Sequence, residues 1–201
     1  MSVESNIAAE LSKLSVKELF ERASAMSFYI NGGHKKRLQD YGLGSFIVEV
    51  ENGVDGLLTP TQVFKLDTNP VSSVETLGTD QESLFVKDFD KFLSVLVDEL
   101  KNLTGNITSL SGKILNYRDQ WEPEKLQQEI GLLKTAVATA EAFQRNIAVL
   151  LFLMRPFFQH CTNTLELPER EQEYKMASYR LDRVASEARN IISPPDESIA
   201  E

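Results

Sequence analysis

The residues from which a catalytic or metal site would have to be built are few: two histidines, His34 and His160, and a single cysteine, Cys161. His160 and Cys161 are adjacent, so on a helix their side chains point roughly 100° apart and cannot serve as a nucleophile with its base. No other soft ligand lies close in sequence to complete a metal set. Gly42-Leu-Gly44 lacks the third glycine and the flanking pattern of a dinucleotide loop. Neither GxxxxGK[ST], HExxH, GxSxG nor CxxC occurs anywhere in the chain. Carboxylates stand close together at Asp88 and Asp90, at Asp98 and Glu99, and at Glu169, Glu171 and Glu173. Pairs at i and i+2 on a helix diverge and no acid-base partner flanks them, so they read as solvated faces. The expectation is a protein that is not an enzyme, with no catalytic residue, no cofactor and no metal site.

One compact basic cluster, His34, Lys35, Lys36 and Arg37, follows Gly32-Gly33. It is a candidate contact for an anionic or lipid surface, although four residues in a row more commonly form a solvated loop or helix start. The rest of the chain is acidic: 21 Lys and Arg against 30 Asp and Glu give a net charge of -9. A negative surface repels phosphate backbones, so no nucleic-acid partner is expected. A lone cysteine makes no internal disulfide, and Met1 to Asn6 do not resemble the start of a secretory signal. A cytoplasmic address follows, with non-classical export left open. The longest apolar run, Ile147 to Met154, is short of the roughly 20 residues that span a bilayer and reads as a buried helix segment.

What organises the chain is periodicity. Val86, Phe89, Leu93, Leu96, Leu100, Leu103, Ile107, Leu110, Ile114 and Tyr117 recur at alternating spacings of three and four, the a and d positions of a heptad frame. Thr79 and Glu82 have capping-box spacing ahead of them. Such a helix would be about 50 Å long. After Trp121-Glu-Pro123 the frame resumes at Leu126, Ile130, Leu133, Val137, Ala140, Ile147, Leu151, Met154 and Phe158, with Gln144 its one polar member. Two long helices joined by a few residues run antiparallel to bury these stripes on each other. A third stripe, Tyr174, Ala177, Leu181, Val184, Ala188 and Ile191, stops at Pro194-Pro195.

Nearer the start, Ser15 and Glu18 form a capping box introducing Val16, Leu19, Ala23, Met26 and Ile30, a helix expected to run up to Asn31-Gly32-Gly33. Phe46 to Val50 and Gln62 to Leu66 read as short strands. The predicted fold is all-α: an elongated helical bundle built on a long antiparallel coiled-coil-like hairpin, with a small β or irregular insertion. Residues 1–195 form one helical domain, with the insertion and linker at 33–79, hairpin helices at 84–118 and 123–160, a C-terminal helix at 168–192, and a disordered acidic tail at 196–201.

The least ordinary segment is Asn102 to Gly112, which carries no charge and has two glycines inside a long helix. Each interior glycine costs about 1 kcal/mol relative to alanine. The hairpin lays this segment against a second small, charge-poor stretch that includes Thr135 to Ala140. Asn102, Thr104, Gly105, Thr108, Ser109, Gly112, Thr135, Ala138 and Thr139 are therefore the candidate interaction surface. Three readings stay open: close packing inside the fold, a contact with a partner protein or a second copy, or a tip that enters a membrane. The expected function is a structural or protein-interaction module working through helix-helix association, self-associating into a homo-oligomer, with a membrane-interacting or pore-forming component as the alternative.

Overall fold

A computed structural model describes residues 13–30, 37, 47–50, 62–66, 79–160 and 167–193. The fold is all-α in class, with a small sheet. Its elements are α1 (Val16–Ala25), β1 (Phe28–Ile30), β2 (Ile47–Val50), β3 (Gln62–Leu66), α2 (Thr79–Tyr117), a 3-10 turn (Arg118–Gln120), α3 (Pro123–His160) and α4 (Leu167–Ile192). The chain divides into two compact units, Met1–Leu96 with Asn146–Glu171 and Val97–Arg145 with Gln172–Glu201.

In the first unit α1 begins at the expected capping box. Ser15 Oγ accepts from the Glu18 amide at 3.3 Å, and Ser15 N donates to Glu18 Oε2 at 2.7 Å. Hydrogen bonds from the Ser15 side chain and backbone hold the Glu18 carboxyl below its ordinary value. The helix then stops at Ala25, not at Asn31. Met26 is already extended (φ -76°, ψ 135°) and Phe28, Tyr29 and Ile30 form β1. Phe28 and Ile30 are buried while Tyr29 is exposed, which is the alternation of a strand. Met26 and Ile30 fit a helical spacing as well, but an aromatic and β-branched run prefers the pleated surface and β3 is there to pair with it.

β3 is the central strand, antiparallel to β1 (Tyr29 opposite Val63) and to β2 (Val48 opposite Lys65). The sheet meets α2 through Phe28, whose ring stands edge-on to Phe92 at 5.6 Å. Phe85 and Phe89 of α2 lie against Phe158 of α3 at 6.5 and 4.9 Å. From Phe85 to Leu96, α2 is buried on almost every side, as a helix surrounded by other elements must be. Asp88 and Asp90 here, and Glu99 one turn beyond, are not the solvated residues expected of them: they are 6%, 7% and 4% exposed. Arg170 of α4 pairs with Asp90 at 2.9 Å, and Lys91 with Asp88 at 3.9 Å, as buried carboxylates require.

In the second unit α2 and α3 form the antiparallel hairpin. Tyr117 stacks on Trp121 across the turn, and Pro123 opens α3 at a position where its missing N–H costs nothing. Lys113 Nζ reaches Glu129 Oε1 at 2.5 Å, pairing positions equidistant in sequence from Trp121. The seam contains Leu100, Ile107, Ile114, Leu133, Val137, Ala140 and Phe143. Leu103 and Leu110 are only half-buried, because a straight helix with 3.6 residues per turn drifts out of a heptad frame and brings Thr104 and Ser111 inward. Gln144, the polar exception in the stripe, joins α3 to α4. Its Nε2 donates to Ser178 Oγ at 2.6 Å and to Asp182 Oδ1 at 2.9 Å, and its backbone carbonyl accepts from Tyr174 Oη at 3.0 Å. Arg189 adds a hydrogen-bonded ion pair to Glu141.

Tyr174 carries a pH dependence. Burial, which outweighs the Ser178 hydrogen bond, raises its phenol above the ordinary 10.0, and the Asp182 charge adds to the rise. A raised folded-state value means that the neutral phenol's contribution is complete below 10.0 and is lost as pH climbs through the folded value. Tyr174→Phe should therefore be somewhat less stable than wild type near neutrality and should lose less stability in alkali. Urea midpoints across that pH range would check it, and parallel pH curves for the two proteins would refute it.

Candidate interaction surface

The hairpin exposes most of the proposed surface. Gly105, Thr108 and Ser109 on α2 and Thr135, Ala138 and Thr139 on α3 are exposed, and Asn102 and Gly112 are half-buried. Thr104 does not belong with them. It is 1% exposed in the seam, where its Oγ1 donates to the Leu100 carbonyl at 2.8 Å, the usual way a threonine satisfies a hydroxyl within a helix. Thr108 and Thr135 turn their hydroxyls back in the same manner, onto the carbonyls of Thr104 and Gly131. Their outward aspect is consequently methyl and backbone rather than polar.

The glycines decide between packing and exposure. A Cβ added at Gly105, Gly112 or Gly131 meets no atom within 4 Å. Close approach of a neighbouring helix inside the chain, the first of the three readings, is thus not what these glycines serve among the described residues. Each remains a cost of about 1 kcal/mol to its helix, with no compensating contact among those residues. Gly105→Ala with Gly112→Ala should raise the stability of the isolated protein by about 1 to 2 kcal/mol, measured as a higher urea midpoint at unchanged slope. A loss of stability would mean that something presses on these positions.

The outer face of α3 extends the surface. Gln128, Gly131, Thr135, Ala138 and Ala142 follow one another at helical spacing without a charge, next to Leu132, which is 40% exposed. Of the charges in this stretch, Glu129 lies in the seam and Glu141 turns toward α4, leaving Lys134 at the edge of the face. Pro123–Arg155 is long and apolar enough, by length and composition, to cross a membrane, and its apolar window is 39% buried. A core helix passes the same test. The run Ile147 to Met154 is shorter than such a span, which the preceding residues of the helix complete.

At the hairpin tip stands a cluster around Trp121 that no motif announces. Lys113 and Lys125 place their ammonium groups 5.6 and 5.2 Å from its ring, within the range of cation-π attraction. Glu129 is 8% exposed, and its Oε2, like Ser111 Oγ, is buried without a hydrogen-bond partner among the described residues. The spacing of Lys113 and Glu129 across a turn was the one signal that could have found this pair.

Of the basic cluster, His34, Lys35 and Lys36 lie outside the described residues, as do Cys161, Gly42, Gly44 and the tail at 196–201. Arg37 is half-buried and has a partner. His160 is the last residue of α3. Among the described residues no group of three or more His, Cys, Asp or Glu could hold a metal ion. No protein-family model, no curated protein and no solved structure matches this chain.

Proposed function

We propose that the protein is a non-enzymatic interaction module that works by helix-helix association and assembles with copies of itself. The observation carrying this reading is the set of open glycines. Gly105, Gly112 and Gly131 weaken two long helices, and no described residue uses the space they leave. Small residues let a second helix approach closely, and an uncharged helical face outside the core is the kind of surface that association covers. The test is Ser109→Arg and Thr135→Arg, each at an exposed position of that face. Each variant should stay folded by circular dichroism and show a reduced share of multi-chain species by light scattering. Unchanged masses would remove the hairpin face as the contact.

The second reading, a membrane-interacting component, rests on Pro123–Arg155 and its partial burial. It requires co-sedimentation with liposomes and release of trapped dye, and it falls if no lipid composition or pH gives either.

A further inference from the structure

We infer that two copies pair through the outward face of α4, antiparallel and about a two-fold axis at the level of Ala177 and Ser178. The inference rests on the proposed self-association and names a second contact for it, in addition to the hairpin face.

α4 buries a narrow face of small residues, Ala177, Leu181, Val184, Ala185 and Ala188. The opposite side presents a second stripe at spacings of three and four: Gln172, Met176, Tyr179, Arg183, Ser186 and Asn190. Met176 and Tyr179 are 67% and 74% exposed, the two most exposed large hydrophobic side chains among the described residues. They stand one turn apart, with arginine close by, and Tyr, Met and Arg are residue types enriched where proteins meet. Lys175 and Asp182 flank the stripe on one side, Glu173, Arg180 and Glu187 on the other.

These flanking charges choose the occupant and its orientation. In a parallel pair, Lys175 would face Arg180 of the second copy and Asp182 would face its Glu187, so each flank repels. Antiparallel, with the axis at Ala177 and Ser178, Met176 lies against the second copy's Tyr179. Lys175 then faces its Asp182 and Glu173 its Arg180, and symmetry doubles every contact. Sliding the pair by one heptad toward the C-terminus sets Arg180 against Arg180 and Asp182 against Asp182. Sliding it by one heptad the other way sets Lys175 against Lys175 and Glu173 against Glu173. Sliding by two heptads toward the C-terminus restores opposite charges but leaves Met176 and Tyr179 without each other. One register therefore satisfies both the apolar pair and the charges. Asp182 Oδ1 already accepts from Gln144, which holds the carboxylate in place on this helix. Two helices meeting over a few turns cover less than the roughly 1,200 Å² of a standard interface, so the dimer is weak and concentration-dependent.

The test is charge reversal followed by analytical ultracentrifugation over a wide concentration range, with circular dichroism melts as the folding control. Lys175→Asp and Asp182→Lys, each alone, place like charges across the axis twice and should weaken dimerisation about tenfold. The double variant restores the pair with its signs exchanged and should recover most of that loss. Tyr179→Ala should weaken it at least as much as either single reversal. A wild-type monomer at every concentration overturns both this pairing and the self-association reading. A wild-type dimer that the reversals leave unchanged, or that the double variant fails to restore, overturns the α4 pairing alone and leaves the hairpin face as the contact between copies.

Discussion

Leu100→Asp is expected to unfold the unit formed by Val97–Arg145 and Gln172–Glu201. Leu100 is fully buried, one turn before Thr104 in the hairpin seam. Removing a buried leucine side chain costs about 2 to 5 kcal/mol before any charge is considered. A carboxylate in its place loses solvation worth several kcal/mol more. The sum is comparable with the ~5 to 15 kcal/mol that holds a whole domain together. Thermal melts should show the cooperative transition lost or lowered by tens of degrees. An unchanged melting temperature would mean that Leu100 does not lie in the seam.

Phe89→Ala should have the next largest effect, about 3 to 5 kcal/mol, and it should act on the other unit. Phe89 is fully buried against two other rings, Phe85 stacked at 6.3 Å and Phe158 tilted at 4.9 Å. Aromatic pairs in such geometries contribute about 0.5 to 1.5 kcal/mol beyond their buried area. Truncation at Phe89 removes one of three mutually packed rings, since Phe85 and Phe158 also lie 6.5 Å apart. Amide exchange should accelerate in α1, the first half of α2 and the last half of α3. Phe89→Leu, which keeps most of the volume, should recover more than half of the loss. A cost below about 1 kcal/mol for the alanine variant would contradict the packing described.

The long helices were legible because their apolar residues repeat: Val86 to Tyr117 and Leu126 to Phe158 mark two buried stripes, and Trp121-Glu-Pro123 marks the turn between them. The strand Phe28–Ile30 was not, since Met26 and Ile30 also stand four apart and only pairing with a distant strand decides between the two periods. Burial of Asp88, Asp90 and Glu99 was equally hidden. A single stripe suggests one inward face, whereas the first half of α2 is enclosed by elements whose placement no local pattern reports. For the candidate surface, the uncharged segment Asn102 to Gly112 stood out by composition alone. That its glycines face open space while Thr104 faces the seam is a matter of one-residue phase, which a drifting 3.6-residue period leaves undetermined over three turns. The α4 face carries no periodic signal of its own, because Met176 and Tyr179 are the only large apolar residues in an otherwise polar stripe opposite the buried one.

The proposed association would use the outward faces of the helices. Ser109 and Thr135 test the hairpin face and Tyr179 tests the α4 face, none of them touching the buried seams.

The measurement that bears most directly on self-association is the solution mass of the wild-type protein, by light scattering coupled to size exclusion and by sedimentation equilibrium over a broad range of loading concentrations. A mass that rises with concentration from the single-chain 22.6 kDa toward whole multiples of it is the predicted result. A mass that stays at 22.6 kDa throughout would contradict it.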